Sequence, residues 1–270
     1  MRRLVVRWTV GDVSIHGFEA LSLSTRAAFA LFGPDVRYVI CANSISAGEV
    51  RRRLGEITPN LEIREVHSEE MPSWMRPFID PAFAEGVAWK FAPVRVAPES
   101  FELSLDNDVI FWRVPAALSE WLACGKGCLM AEDVRACFGK FARYCGGEPR
   151  NSGIRGLSPG LRYEDCLRSM LSRNPVLLNS ELDEQGLQIA TLLRQQPVHV
   201  VRLSEVSICS PFPPHLPKAG SHGAHFVGLN AKSLPWSWNG TPGHEYIRAN
   251  WLAKRADLER RVVEVEGAAG

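Results

Sequence analysis

Apolar runs and amphipathic segments alternate through the first part of the chain. Leu4 to Val10 and Val36 to Cys41 are short apolar runs followed by polar or turn-forming residues, a pattern typical of buried strands. Between them, apolar residues recur at helical spacing from Phe18 to Phe32, and Gly33-Pro34 ends that segment. The pattern predicts a β-α-β unit, in which both strands run in the same direction.

The rest of the chain predicts the same alternation with less regularity. Phe101 to Leu105 has the alternation of a strand and runs directly into Asp106. The other predicted elements are a surface helix over Glu49 to Leu54, strands over Leu61 to Val66, Cys128 to Met130 and Val198 to Leu203, a turn or helix start at Val87 to Phe91, a turn at Asn151 to Gly153, helices over Leu161 to Leu171 and Glu184 to Leu193, and a C-terminal helix from Ile247 to Val262. Repeated β-α units predict an α/β fold with a mainly parallel central sheet flanked by helices.

Composition limits the class of protein. The 270 residues are 46% hydrophobic and 23% charged, which indicates a folded globular chain. Lys and Arg total 31 against 30 Asp and Glu, so the chain lacks the basic excess of a nucleic-acid-binding protein, and we expect no nucleic-acid partner. The length of the chain predicts a single domain over 1–270.

The sequence also predicts where the protein works. It contains no run of about 20 apolar residues that could span a bilayer, and Arg7 interrupts the short apolar stretch near the N-terminus. Seven cysteines, an odd number, fit a reducing compartment, so we expect a cytoplasmic protein. A zinc site is an alternative for the cysteines that fall close together, although their spacing lacks the usual short C-x2-C pairs. These are Cys124, Cys128, Cys137 and Cys145.

Acidic residues follow three of the predicted strands, where an open α/β sheet binds its ligands. Asp106 and Asp108 flank one residue at such a strand end, so both carboxylates can face a divalent cation that in turn neutralises a diphosphate. Asp12 follows the first strand and is placed to contact a nucleotide base or ribose, and Glu132-Asp133 is placed to hydrogen-bond a sugar. The plain alternative for the Asp-x-Asp pair is two acids that face solvent from a loop.

Phe101 to Trp112, an apolar strand that leads into Asp-x-Asp and an apolar continuation, resembles the metal-binding motif of GT-A nucleotide-sugar glycosyltransferases. The resemblance is strongest to the group that includes glycogenin and the bacterial lipopolysaccharide galactosyltransferases. Further stretches occur in the order that this group has them: Trp89-Lys90, Asn151-Ser152-Gly153, Asp183-Glu184-Gln185-Gly186, and His225-Phe226-Val227-Gly228 followed by Lys232 and Pro235-Trp236. The resemblance therefore implies a GT-A fold, with a nucleotide-binding half over 1–112 that ends in the Asp-x-Asp motif, a sugar and acceptor half over 113–243, and a C-terminal helix and tail over 244–270.

The same resemblance assigns roles to individual residues. It implies that Asp106, Asp108 and His225 hold a manganese or magnesium ion. Gly228 and Lys232 would contact the diphosphate. The remaining implied site residues are Lys90, at a phosphate or sugar hydroxyl, Asn151 and Ser152, along the transferred sugar, and Glu184 and Gln185, next to the anomeric carbon.

Three departures from the family pattern bear on those roles. Lys90 stands where the group usually has an arginine, and Glu184 stands where it usually has an aspartate. Lys232 follows His225 by seven residues instead of six. Each residue also has a plain structural reading, since Trp89 and Trp236 can be packing residues and Asn151 to Gly153 a simple turn.

The resemblance implies a metal-dependent enzyme that moves a hexose from a nucleotide diphosphate sugar, in particular a UDP-sugar, with retention at the anomeric carbon. The acceptor is open and includes carbohydrate, lipid-linked and protein acceptors. One alternative is a nucleotide- or sugar-binding protein of the same fold without turnover. Another is a phosphatase of the haloacid-dehalogenase type, because Leu103 to Val109 also resembles its nucleophile motif. We further expect two long, proline-rich segments, Met71 to Pro81 and Ser210 to Gly223, to act as lids over the site.

Overall fold

The computed structural model describes residues 4–55, 60–80 and 87–269. Its strands are β1 (Leu4–Val10), β2 (Arg37–Ala42), β3 (Leu61–Glu65), β4 (Phe101–Asp106), β5 (Val109–Phe111), β6 (Cys128–Glu132), β7 (Arg150–Leu157), β8 (Val198–Val201), β9 (Val206–Ile208), β10 (Gly223–His225), β11 (Ser237–Trp238) and β12 (Thr241–Pro242). Its helices are α1 (Ile15–Phe32), α2 (Ala47–Leu54), α3 (Ala116–Cys124), α4 (Tyr163–Arg173), α5 (Glu181–Leu192) and α6 (Gly243–Ala269).

Seven strands form the central sheet in the order β3-β2-β1-β4-β7-β6-β8. The pairs β1–β2, β1–β4, β2–β3 and β6–β8 are parallel, and β7 runs antiparallel to both β4 and β6. The prediction of a mainly parallel sheet is therefore confirmed. In this register Thr9 pairs with Asp106, so the ends of β1 and β4 lie at one edge of the sheet.

Helices cover both faces of this sheet, as predicted. Along β6 the side chains alternate: Leu129 and Ala131 join the core that α1 and α3 close, whereas Cys128 and Met130 join the core that α4 and α5 close. All four side chains are buried. Strand side chains point to opposite faces in turn, so the near-continuous apolar runs of these strands fit a sheet that is buried on both sides.

A second sheet, in the order β5-β10-β9, extends the fold beyond the Asp-x-Asp segment. It packs against α1 and α6 through a third core, in which Trp251 meets Phe226 edge to face at 5.0 Å between ring centroids. β10 is antiparallel to β5, and His225 lies opposite Val109. This pairing brings a segment from late in the chain next to the end of β4.

The predicted turn at Asn151 to Gly153 is wrong, because these residues lie inside β7. Asn and Gly favour turns when only neighbouring residues act on them. Here Asn151 pairs with Ala131 of β6, and the side chains of Gln185 and Asn151 accept from the N–H groups of Ser152 and Gly153. The register between β6 and β7 shifts between Met130 and Ala131, which is the irregularity that these small residues accommodate. Helix α3 and the 3-10 helix over Gly139–Tyr144 were not predicted.

The segment expected to form a lid over Met71 to Pro81 packs into the core instead. Met71, Met75 and Ile79 are buried, and the backbone N–H of Asp80 donates to the carbonyl of Leu178. This packing contradicts a lid over residues 71–80; Pro81 lies outside the described residues. Among the helices of the described part of the chain, none combines the length and apolar character needed to cross a bilayer.

Candidate active site

Two carboxylates and an imidazole that lies more than a hundred residues later in the chain meet at the carboxyl edge of the central sheet. Asp106 ends β4, Asp108 lies two residues further along the chain, and His225 ends β10. The N–H of Phe226 donates to the carbonyl of Asp108, and the N–H of Cys209 donates to the carbonyl of His225, so backbone bonds hold both segments. In the parts of the chain that the structure describes, these three residues are the group of His, Cys, Asp or Glu that fits one metal ion.

The geometry of this group suits a single cation. The Nε2 atom of His225 lies 3.3 Å from Oδ1 of Asp108 and 3.7 Å from Oδ2 of Asp106, and the three ligand atoms all lie within 4.8 Å of one another. Metal–ligand bonds of about 2.1 Å place two ligands at a right angle about 3 Å apart. Oδ1 of Asp108 is buried and has no hydrogen-bond partner, an arrangement that costs free energy unless a cation or a proton satisfies it.

Gly153, on β7, makes room for the imidazole of His225. A Cβ atom at this position would lie 2.5 Å from Cε1 of His225 and 2.8 Å from Oδ1 of Asn151. Both distances are shorter than atoms tolerate, so a residue with a side chain would displace the ring. The sequence analysis named Asn151 and Ser152 as site residues and missed the glycine that follows them, although it belongs to the same motif.

A half-buried lysine balances part of the negative charge. Nζ of Lys90 lies 2.6 Å from Oδ1 of Asp106 and 3.9 Å from Oε2 of Glu184. Burial favours the neutral form of the lysine, but the two carboxylates outweigh it and raise its pKa. Burial likewise favours a neutral Asp106, but Lys90 and His225 lower the pKa of that carboxyl.

His225 and Glu184 have shifted pKa values for opposite reasons. Burial favours the neutral imidazole, but the charges of Asp108 and Asp106 outweigh it and raise the pKa of His225. For Glu184, burial dominates over the attraction of Lys90 and raises the pKa to about 7. Shifted carboxyls of this kind cluster in functional sites.

Backbone and side-chain bonds fix the residues that were predicted to line the sugar. Asn151 donates from Nδ2 to Oδ2 of Asp133 at 3.0 Å and accepts from the N–H of Gly153 at 2.7 Å. Oε1 of Gln185 accepts from the N–H of Ser152 at 3.3 Å, while its Nε2 donates to the carbonyl of Cys137 at 2.9 Å. β7 and the start of α5 therefore hold these groups in fixed orientations.

A cavity of about 850 Å³ opens over the acidic cluster. Most of the residues singled out from the sequence line it, namely Lys90, Asp106, Asp108, Asp133, Asn151, Ser152, Glu184, Gln185, His225 and Gly228. Gly228 has φ +83°, a conformation that favours glycine.

Three predicted residues lie outside this cavity. Lys232 lines a neighbouring cavity of about 810 Å³ and its Nζ lies 2.6 Å from Oδ2 of Asp12. Asp12 lines neither cavity and also pairs with Arg53, at 2.9 Å. The Lys232 hydrogen bond lowers the pKa of Asp12 against the opposing effect of burial. The Glu132 carboxylate accepts from the N–H of Leu203 and does not line the cavity, whereas its neighbour Asp133 does.

The zinc alternative is also wrong. The four cysteines do not form a metal-binding group among the described residues. Cys124 is exposed, whereas Cys128 and Cys145 are buried and donate from Sγ to backbone carbonyls. Burial raises the pKa of both buried thiols to about 12, the opposite of what a metal thiolate requires.

A pair of amides ties the Asp-x-Asp segment to the segment after His225. Asn107 and Asn230 exchange hydrogen bonds of 2.6 and 2.8 Å, and Asn107 also donates to the carbonyl of Gly17 in α1. Ser14, the N-cap of α1, donates from Oγ to the carbonyl of Leu229. Sequence reasoning missed this pair because the middle residue of an Asp-x-Asp motif carries no signal of its own.

Comparisons with solved structures identify the fold. The galactosyltransferase LgtC, solved in complex with donor and acceptor sugar analogues, matches with a TM-score of 0.53 and 12% identity over 92% of this chain and 95% of its own. Mouse xyloside xylosyltransferase 1 matches with a TM-score of 0.53 and 13% identity, over 85% of this chain and 99% of its own. The glycosyltransferase GlyE of Streptococcus pneumoniae matches with a TM-score of 0.52 and 14% identity, over 98% of this chain and 63% of its own.

The chain therefore has the GT-A fold, and that prediction is confirmed. No family model and no curated protein matches the sequence. At 12% to 14% identity, these structural likenesses establish the architecture, while activity has to be argued from the site itself.

Proposed function

We propose that the protein is a metal-dependent glycosyltransferase that moves a hexose from a UDP-sugar to an acceptor with retention at the anomeric carbon. The observation that carries this proposal is the meeting of Asp106, Asp108 and His225 in a cavity of about 850 Å³ at the carboxyl edge of the sheet. An open α/β sheet binds nucleotides at such an edge. The structural neighbours, all glycosyltransferases, support the same reaction class.

Asp106, Asp108 and His225 would hold the ion, and the unpartnered Oδ1 of Asp108 is an atom that such an ion would satisfy. Two carboxylates and one imidazole favour manganese over calcium, because a nitrogen ligand shifts preference toward the transition series. The ion would neutralise the charge that develops on the leaving diphosphate. The proposal assigns Gly228 and Lys232 to the diphosphate, as the resemblance implies. It assigns Asp12 to the base or ribose, because this residue follows the end of the first strand.

The sugar would lie between β7 and α5. Asn151 and Ser152 would line its ring, and Glu184 and Gln185 would face the anomeric carbon. A second structure of LgtC carries a glutamine-to-glutamate substitution in its active site, which supports a role for a glutamine in this chain. Lys90 would hold Asp106 in its ionised form and present its remaining donors to a phosphate or hydroxyl.

We also propose that the protein works in the cytoplasm. All seven cysteines are free, as a reducing compartment requires. The acceptor is argued separately below.

The test measures UDP release from a panel of UDP-hexoses without acceptor, in Mn²⁺ and in EDTA, for the wild type and Asp108→Asn. We expect UDP release that depends on Mn²⁺ and falls at least about a hundredfold in the variant. Loss of a metal ligand should lower activity at least as much as loss of a group that only orients a ligand. Asp165→Asn, exposed on α4 and outside the cavity, is the matched control and should behave as the wild type.

Two other outcomes would favour the alternatives. Tight binding of UDP with Mn²⁺ but no turnover of any donor or acceptor combination would identify a sugar-nucleotide-binding protein. Hydrolysis of p-nitrophenyl phosphate that depends on Asp106 would identify a phosphatase, although the GT-A fold argues against it.

A further inference from the structure

Two indole rings lie half exposed at the mouth of the central cavity. Trp236 is 41% exposed and Trp238 is 45% exposed, and both line the cavity that contains the acidic cluster. Large aromatic side chains left in water forgo a substantial part of the free energy that burial would provide. A contiguous exposed aromatic surface next to a cavity is typical of a binding site.

The surrounding residues hold these rings in place. Phe212 meets Trp236 edge to face at 4.8 Å and an interplanar angle of 74°, and meets Trp238 at 5.8 Å and 63°. Gly243, the first residue of α6, packs so closely on Trp236 that a Cβ would lie 2.4 Å from its ring, and its N–H donates to the carbonyl of Trp236. The β11–β12 hairpin fixes Trp238 opposite Thr241. The rings are thus oriented before any ligand arrives, which lowers the entropic cost of binding.

We propose that Trp236 and Trp238 form a stacking platform for a sugar ring of the acceptor, so that the acceptor is a neutral carbohydrate. This inference rests on the proposed function, because it assumes that the same cavity binds the donor. The face of an aromatic ring carries partial negative charge, and the axial C–H bonds of a pyranose present a weakly positive, apolar face to it. The platform joins the cavity of Asp106 and Asp108 without a break, as an acceptor site must.

Charge favours a neutral acceptor. The acidic residues that line the cavity are Asp106, Asp108, Asp133, Glu181 and Glu184, whereas its lysine and arginine side chains are Lys90 and Arg135. The charge of one divalent ion would offset the negative charge of the donor's diphosphate, which leaves little positive charge in the cavity for a second anionic group. The proline-rich segment that contributes Phe212 to the rings lines the same cavity with the uncharged residues Ser210, Pro213 and Pro214. This surface suits sugar hydroxyls better than a phospholipid headgroup or an acidic peptide.

The experiment uses lactose, maltose, cellobiose and methyl β-galactoside as probes, with saturation-transfer NMR of the full chain in Mg²⁺ and UDP. We expect saturation of the axial protons of at least one probe in the wild type. In the double variant Trp236→Ala/Trp238→Ala the affinity for that probe should fall at least about tenfold, while the affinity for UDP, measured by calorimetry, stays unchanged. Trp236→Phe and Trp238→Phe keep a ring face, and each should retain most of the binding.

Leu216→Ala is the matched control. Leu216 is a large apolar residue, 67% exposed in the proline-rich segment over residues 210–223, and it does not line the cavity. It should leave probe binding unchanged. Any of three results would overturn the platform: no probe binds, probe binding survives the double alanine variant, or that variant loses UDP instead of the probe, which would assign the rings to the nucleotide. Probe binding to the rings without metal-dependent UDP binding would instead contradict the proposed function and leave the platform standing.

Discussion

Gly153 and Glu184 both have surroundings that would be unfavourable for a residue of the ordinary protein core. The absent side chain of Gly153 makes room for the His225 ring, and the buried carboxyl of Glu184 has a pKa raised to about 7. Proteins retain such features where function outweighs stability. Both residues therefore offer single substitutions whose effects separate the site from the rest of the core.

Gly153→Ala should weaken UDP binding that depends on Mn²⁺ by about tenfold, because the new methyl group displaces the imidazole of His225 from the two carboxylates. Titration calorimetry of UDP in Mn²⁺ measures this. Gly147→Ala is the control, since nothing lies within 4 Å of a Cβ at that position. Equal affinity in wild type and Gly153→Ala would show that His225 does not contribute to the metal site.

Glu184→Gln should stabilise the metal-free protein at pH 8 and leave it almost unchanged at pH 4.5. The pKa of Glu184 is raised from 4.5 to about 7, so the folded protein holds a proton that the unfolded chain releases. The carboxyl therefore costs nothing below pH 4.5, and its cost grows with pH and is complete above about pH 7. One pKa unit corresponds to about 1.4 kcal/mol, so a rise from 4.5 to about 7 limits the gain at pH 8 to about 3.5 kcal/mol.

Urea unfolding in EDTA at both pH values measures this difference. Glu181→Gln, exposed in the first turn of the same helix, is the control and should change stability little at either pH. A Glu184→Gln variant that is less stable than the wild type at pH 8 would mean that the ionised carboxylate stabilises the fold through Lys90.

The two proline-rich segments of the chain differ in packing. Met71 to Asp80 is tied to the core by three buried apolar side chains, whereas residues 210–223 are mostly half-buried or exposed and line the cavity through Ser210, Phe212 and His215. Segments with few buried contacts open most easily. The lid expectation therefore survives for the second segment alone.

Amide exchange should show this difference directly. Without ligand, we expect residues 210–223 to exchange faster than the central sheet, and to slow when Mn²⁺ and UDP are added, because a lid closes over a bound donor. The segment over residues 71–80 serves as an internal control and should not respond. Identical protection of residues 210–223 with and without ligand would argue against a lid.

The fold as a whole couples its stability to the donor, because the proposed ligands come from the central sheet and from the second sheet. UDP at about 100 times its Kd in Mn²⁺ should add about 2.7 kcal/mol to the stability, which for a chain of this length raises Tm by about 5 °C. Differential scanning fluorimetry checks this. UDP in EDTA should cause almost no shift, because clustered carboxylates repel the diphosphate when no cation is present. An equal shift in EDTA would rule out metal-dependent donor binding.

The amino-acid sequence alone was sufficient to predict the α/β class, the shared direction of the first strands in a mainly parallel sheet, and the end of β4 at which Asp106 and Asp108 lie. The pattern of apolar and polar residues is a local property of the chain, and short apolar runs between turn-forming residues are typical of strands buried on both faces. The order of short motifs then predicted the GT-A fold. Element boundaries were less accurate, since α1 and α6 both begin earlier than their apolar patterns indicated.

The tertiary structure alone revealed which residues touch. Asn151 to Gly153 looks like a turn until β6 pairs with Asn151, and Gly153 has no evident purpose until His225 lies against it. The Lys232–Asp12 pair joins a residue of the neighbouring cavity to the residue that follows β1 by two positions, a contact that no spacing rule predicts. Local pattern depends on a residue and its neighbours in the chain, whereas contacts of this kind depend on how strands from distant segments pair, so they emerge only when the complete chain packs.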